Sequence, residues 1–225
     1  MTRSIFFSGK GGVGKTSMAC ATAVRHADDG RRTLIVTTDP ASNLADVFEQ
    51  SIGHQVTAIT AVPNLWAMEI DPDQATREYK DRALAPLRAA FPPQLLQVIE
   101  EQMSGPCTSE VAAFDRFTDF LVLDPSAAEP LTFDVIVFDT APTGHTIRLL
   151  QLPGEWTTYL SDGKGDVSCL GPVAGLDRFR HDYRGALDAL TDHTRTRLVI
   201  VSRPQRSALD EASRTYAELL RVGMS

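Results

Sequence analysis

Ile5-Phe6-Phe7-Ser8-Gly9-Lys10-Gly11-Gly12-Val13-Gly14-Lys15-Thr16-Ser17 sets the reading of the whole chain. Gly9, four residues, then Gly14-Lys15-Thr16 is the spacing of a phosphate-binding loop. An apolar strand-like run precedes it and a helical stretch comes after, which is the context that spacing requires. Gly9, Gly11, Gly12 and Gly14 let the backbone turn tightly and bring N–H groups up to phosphate oxygens. The helix after the loop adds the partial positive charge of its N-terminus. Lys15 then reaches the β- and γ-phosphates of ATP, and the Thr16 hydroxyl binds Mg²⁺. Val13 and Ser17 belong to the same nucleotide-contacting stretch.

Outward from the loop, apolar β-rich runs fall at Ser4–Ser8, Thr33–Thr37, Leu65–Ile70, Phe133–Phe138 and Arg197–Val201. Several lack alternation, as parallel strands covered on both faces do. Helical patterns lie between them, at Thr16–Asp28 and Gln205–Arg221. Alternating strands and helices predict a single α/β domain over 1–225, a doubly wound, mostly parallel sheet of the P-loop NTPase type. Ligands then sit at the carboxyl ends of the strands. The span 71–130 breaks the alternation, with helical patterns at Gln74–Leu84, Gln94–Gln102 and Ser109–Leu123, and reads as a helical insertion. A further strand is expected after Arg221, so the C-terminal end reads as truncated.

The bulk numbers fit a soluble globular protein: 43% apolar and 23% charged residues in 225. A net charge of −7 argues against nucleic acid as a partner. No apolar run approaches the length of a membrane span, which argues against direct membrane insertion. The N-terminus runs straight into a strand with no signal peptide, so the cytoplasm is the expected compartment. Three cysteines in such a chain read as thiols.

Two aspartates come directly after strands. Phe133-Asp134-Val-Ile-Val-Phe-Asp139 ends an apolar run in a carboxylate, where a water-mediated Mg²⁺ ligand belongs. Asp39, in Thr37-Thr38-Asp39-Pro40, is placed to orient or deprotonate an attacking water. Lys10 is not required by the loop spacing. Glycines around it leave its side chain free to point outward, either into solvent or toward a nucleotide across an interface, as an arginine finger does.

These pieces together resemble the deviant phosphate-loop ATPases. The residues carrying the likeness are Gly9 to Ser17, Asp39-Pro-Ala-Ser42 and Asp139-Thr-Ala-Pro-Thr-Gly-His-Thr146. The last string narrows it to the tail-anchored-protein targeting factors and the arsenite pump ATPases. Ser104-Gly-Pro-Cys107-Thr-Ser-Glu and Val167-Ser-Cys169-Leu-Gly-Pro172 resemble the metalloid-cysteine segments in the first half of the latter. The resemblance implies a metalloid-stimulated ATPase that energises an integral membrane arsenite carrier, acting from the cytoplasm and peripherally at the inner membrane. It implies Lys10 and Lys15 as catalytic lysines, Asp39 and Asp139 as catalytic carboxylates linked to Mg²⁺, and a second ATPase half or a homodimer partner. It implies As(III) or Sb(III) at Cys107, Cys169 and His145. The alternative it leaves is an ATP-dependent targeting factor, which would want a Met-rich groove and a Cys-x-x-Cys that this chain lacks.

Soft As(III) prefers thiolates. On spacing alone, Cys107 and Cys169 define no site and read equally as buried small side chains. Cys107 comes after Gly-Pro at a helix start, which lowers a thiol pKa. Cys169 lies in a Gly- and Ser-rich loop. His145, six residues after Asp139, reads as a metalloid ligand, a lever between the two sites, or a solvated loop histidine. Cys20, among alanines after the loop, reads as core.

Overall fold

The computed structural model describes residues 2–39, 43–88, 91–122, 132–140 and 176–221. In chain order its elements are β1 (Arg3–Ser8), α1 (Lys15–Asp28), β2 (Thr33–Thr37), α2 (Leu44–Phe48), β3 (Thr57–Ala58) and β4 (Leu65–Glu69). Then come α3 (Pro72–Leu84), α4 (Pro93–Gln102), α5 (Pro106–Leu121), β5 (Val135–Asp139), α6 (Leu176–Thr191), β6 (Thr196–Ile200) and α7 (Arg206–Arg221). The chain divides into two compact units: Met1–Ile70, Leu123–Gln151 and Asp188–Ser225 form one, and Asp71–Val122 and Leu152–Leu187 the other.

The first unit is an α/β fold of the P-loop NTPase type. Its six strands lie in the order β3-β4-β2-β5-β1-β6. All neighbours are parallel except β3, which runs antiparallel to β4. The chain leaves β1, crosses over the place of β5 and re-enters as β2. The central strands β2 and β5 are buried at every position, which is why their sequences do not alternate. On one face Phe7, Ile35, Val135 and Val137 meet Ala19, Cys20, Ala23 and Ala27 of α1. Those small side chains let α1 lie close to the sheet. On the other face Phe6 stacks on Phe138 with centroids 4.5 Å apart. Each such fully buried side chain contributes about 1.5–3 kcal/mol.

Helix α1 stops where Gly30 takes φ 81°. The Gly30 N–H donates to Ala27 O at 2.9 Å and the Arg31 N–H to His26 O at 3.1 Å, a Schellman closure that needs a residue tolerant of positive φ. Helix α3 begins two residues before the apolar pattern suggests. Asp71 accepts from the Gln74 N–H at 2.8 Å, and Pro72 fits the first helical position, where no N–H is wanted. Pro106 does the same for α5, starting it ahead of the expected Ser109.

Among the described residues the second unit is helical. Tyr79, Met103, Phe114 and Phe117 are buried in it. Arg82 pairs with the buried Asp115, and with Asp119 at 3.4 Å, so the carboxylate between α3 and α5 is compensated.

Candidate functional site

The candidate site lies at the carboxyl ends of β1, β2 and β5. Parallel register brings Phe7, Asp139 and Thr37 side by side across these strands. β1 ends at Ser8 and the loop begins at Gly9, whose φ is 147°. A Cβ on Gly9 would lie 2.2 Å from the Val201 carbonyl oxygen, so only glycine fits there. Gly12 and Gly14 also have positive φ, 73° and 97°, but a Cβ on either would meet nothing within 4 Å. Their requirement is conformational alone. Gly14 caps α1, and its carbonyl accepts from the Met18 N–H at 3.0 Å.

Lys15, the first residue of α1, is 6% exposed. Its Nζ donates to the Lys10 carbonyl at 3.4 Å, folding the side chain back over the loop. Thr16 Oγ1 donates to Asp139 Oδ2 at 2.7 Å, across 123 residues of sequence. Asp139 is fully buried, and its other oxygen, Oδ1, has no hydrogen-bond partner. Burial raises the Asp139 pKa above the usual carboxylate range. The Thr16 hydrogen bond and the nearby Lys15 cation pull it back, and Asp39 pushes it up again. Asp39 therefore lies close enough to be felt by Asp139, and its N–H donates to Thr37 Oγ1 at 3.1 Å.

A hydroxyl and a carboxylate in contact, with one carboxylate oxygen buried and unmet, fit Mg²⁺. That ion takes few protein oxygens and shares the rest of its shell with phosphates and water. Thr16 and Asp139 are the residues placed to hold it, with Asp39 beside them. The loop backbone from Gly9 to Gly14, together with Lys15, fits the phosphates.

Lys10 points out of the loop with its side chain 47% exposed, and its Nζ lies 3.7 Å from a carboxylate oxygen of Glu211 on α7. Val13 is half-buried, whereas Gly11 and Ser17 are exposed. Cys20 is buried, 4% exposed, and burial with the Asp139 charge pushes its thiol up to about 12. It is a core side chain. Cys107 falls in the first turn of α5 in the helical unit, but its side chain is not among the described positions. His145 and Cys169 lie outside the described residues, so the proposed metalloid ligands are not brought together or kept apart by the geometry.

Two residues at this end of the sheet escape a reading of the sequence. Glu211 carries no local signal, because its partner is about 200 residues away. Glu69 ends β4 in register with Thr37, on the same face as Asp139, and its Oε1 is buried without a partner. A carboxylate closing an apolar strand is the available signal, the one that singles out Asp139.

The sequence profile of the anion-transporting ATPase family matches residues 2–225. An arsenical pump-driving ATPase of Escherichia coli is 52% identical over 220 residues, covering 98% of this chain and 37% of its own length. An arsenical pump-driving ATPase of Acidiphilium multivorum is 51% identical over 220 residues, with the same coverage of both. The ATPase GET3 of Eremothecium gossypii is 30% identical over 240 residues, covering 98% of this chain and 68% of its own. The chain thus spans little more than a third of the arsenical pump-driving relatives it matches.

Proposed function

The chain belongs to the anion-transporting ATPase family, and from that membership we propose that it is the ATP-hydrolysing part of an arsenite or antimonite efflux system. One observation carries the ATPase half of the proposal: Thr16 donates to a fully buried Asp139 whose second oxygen is unmet, beside a glycine loop and a buried lysine. The loop and Lys15 bind the phosphates. Thr16 and Asp139 would hold Mg²⁺, which would neutralise charge on the phosphates. Asp39 orients the attacking water or accepts its proton. Lys10 serves a nucleotide held by a second ATPase half or by a homodimer partner.

The metalloid half rests on the likeness to arsenical pump-driving ATPases. Cys107, Cys169 and His145 are the ligand set we propose for As(III) or Sb(III), with a further thiolate from the facing half. The residue pair Asp139 and His145 shares one short segment. Metalloid captured at an interface would draw that segment and the facing half together, closing Lys10 and Asp39 on the nucleotide. On this reading the Asp71–Val122 part of the second unit belongs to the helical insertion of 71–130. The protein works from the cytoplasm, against an integral membrane carrier. Among the described residues no helix is long and apolar enough to cross a membrane.

A second reading, an ATP-dependent targeting factor for tail-anchored membrane proteins, has one observation in its favour. Phe91 and, on α4, Leu95 and Val98 are exposed large apolar side chains in the helical unit. The lower identity to ATPase GET3 weighs against it.

The test is the steady-state ATPase rate of the full-length protein with and without arsenite and antimonite. Stimulation that Cys107→Ser and Cys169→Ser each remove, and Cys20→Ser leaves in place, is the expected result. A rate indifferent to both metalloids refutes the efflux reading. Absence of any Mg·ATP turnover refutes the ATPase reading.

A further inference from the structure

The ion pair between Lys10 and Glu211 is a contact at the site that the mechanism does not use. Lys10 is the second residue of the phosphate loop and yet turns away from it. Its backbone carbonyl accepts from Lys15 Nζ at 3.4 Å, and its own Nζ lies 3.7 Å from Glu211. Glu211 is the less exposed partner, with 28% of its side chain open against 47% for Lys10.

Glu211 is also fixed in place relative to the loop. It sits on the half-buried side of α7, the helix anchored by buried Ala208, Thr215 and Leu219. Helix α7 begins a short turn after β6. The Val201 N–H at the end of β6 donates to Ser8 O at 2.8 Å, and Gly9 packs directly on the Val201 carbonyl. The start of the loop, the end of β6 and the helix bearing Glu211 are therefore one connected frame.

We propose that Glu211 is a positioning residue that holds Lys10 within its own subunit until a more negative partner, the phosphate of a nucleotide in a second copy or half, takes the cation over. The proposal rests on the reading that Lys10 serves a nucleotide across an interface, and it adds what Lys10 does before that interface closes. A nucleotide bound in its own loop draws Lys15 Nζ onto phosphate and releases the Lys10 carbonyl, which loosens the loop around Lys10. The Glu211 pair then remains as the restraint. A partly exposed lysine–carboxylate pair is weak, which suits a restraint that must bias Lys10 and still let go. A polyphosphate carries more charge than one carboxylate and wins once it is within reach.

The experiment uses the full-length protein. Steady-state ATPase rates at saturating Mg·ATP, with and without arsenite, and Mg·ATP affinity are measured for wild type, Glu211→Gln, Glu211→Ala, Lys10→Ala and the Lys10→Ala/Glu211→Gln double variant. Releasing a pair of this class should raise the unstimulated rate of both Glu211 variants by about 2- to 5-fold. Their arsenite-stimulated rate should stay near wild type, because closure has already displaced the pair. Mg·ATP affinity should not move. The double variant should match Lys10→Ala, since the restraint acts on turnover through Lys10. An unstimulated rate that is unchanged or lower in both Glu211 variants, with Lys10→Ala inactive, overturns the restraint and leaves the ATPase reading standing. Wild-type turnover in Lys10→Ala removes Lys10 from catalysis and the restraint with it. If Glu211→Gln and Glu211→Ala fail to fold, Glu211→Asp keeps the charge on a shorter stem. It should raise the unstimulated rate by a smaller factor, and no rise overturns the proposal.

Discussion

Replacing Asp139 by Asn should stabilise the nucleotide-free protein and cripple hydrolysis. Asp139 is fully buried and one of its oxygens has no partner. Its pKa is raised even though the Thr16 hydrogen bond and the Lys15 cation both pull it down, so the ionised form is penalised on balance. The folded chain then holds this proton more tightly than the unfolded chain, whose carboxyl titrates near 3.8. Stability contributed here falls as pH rises from that value through the folded pKa, and the full penalty is present above both. An unmet buried polar group costs about 1–3 kcal/mol. Asn removes the charge and keeps an acceptor for Thr16, while its amide N–H₂ takes the unmet place and keeps part of that cost, so it should return on the order of 1 kcal/mol. For a chain of this size that is a rise in melting temperature of about 2–4 °C. Calorimetry in chelator at neutral pH should show the rise, and lowering the pH toward the ordinary carboxylate range should erase it. The same variant should lose Mg·ATP turnover by about 10- to 100-fold, the usual scale for a group that orients a metal site. A lower melting temperature than wild type, or wild-type turnover, would refute the account of Asp139 as a buried acid kept for its metal.

Gly9→Ala adds a Cβ onto the Val201 carbonyl at 2.2 Å and a side chain at φ 147°; strain and overpacking together should cost about 3 kcal/mol or more. Gly12→Ala, at φ 73° with open space around it, should cost only about 1–2 kcal/mol, so equal melting temperatures for the two variants would contradict the loop geometry. Asp39→Asn should keep Mg·ATP binding and lose at least about 10²-fold in turnover, and an unaltered rate would leave Asp39 as a turn residue. Cys20, pushed up to about 12 from 9.0, should resist alkylation in the folded protein at mildly alkaline pH. Because the unfolded chain loses that proton first, stability should fall as pH rises through this window, and Cys20→Ala should flatten the fall; rapid native-state labelling of Cys20 would contradict its burial.

The legibility of each part depends on where its cause lies. Strand β2 is readable to the residue, since Thr33–Thr37 is buried throughout and bounded by polar neighbours. Helices α3 and α5 are readable in kind but less so at their starts, because the apolar patterns begin at Gln74 and Ser109, whereas Pro72 and Pro106 occupy the first helical positions; for α5 the Gly-Pro before Cys107 is the signal of the true start. Two residues of β3 and five of α2 are too short to show a period. The charge cluster Arg178–Arg184 reads in the sequence as a solvated helix face, and it falls within α6, whose bounds carry no comparable signal. At the site, Thr16 and Asp139 are each visible through a separate local rule. Their 2.7 Å contact is not, because it depends on β5 lying beside β1 in a given register. Glu69 and Glu211 depend on such pairings entirely, which is why neither stands out.

The strand order explains why these residues share one place. β1 lies between β5 and β6, so the chain leaving Ser8 emerges between the ends of two other strands. On one side Thr140 Oγ1 donates to the Phe7 carbonyl at 2.7 Å. On the other the Val201 N–H donates to the Ser8 carbonyl at 2.8 Å. The backbone is thus held on both sides at the point where it must turn, and only glycine can make the turn against Val201. That exit directs the course of the loop and of α1. Lys10 is turned toward the helix that continues from β6, and α1 is turned back over the sheet with Thr16 on the end of β5. The buried carboxylate, the loop and the lysine pair are consequences of one crossing, so a change that moved β6 relative to β1 should disturb both Lys10 and the nucleotide cradle together.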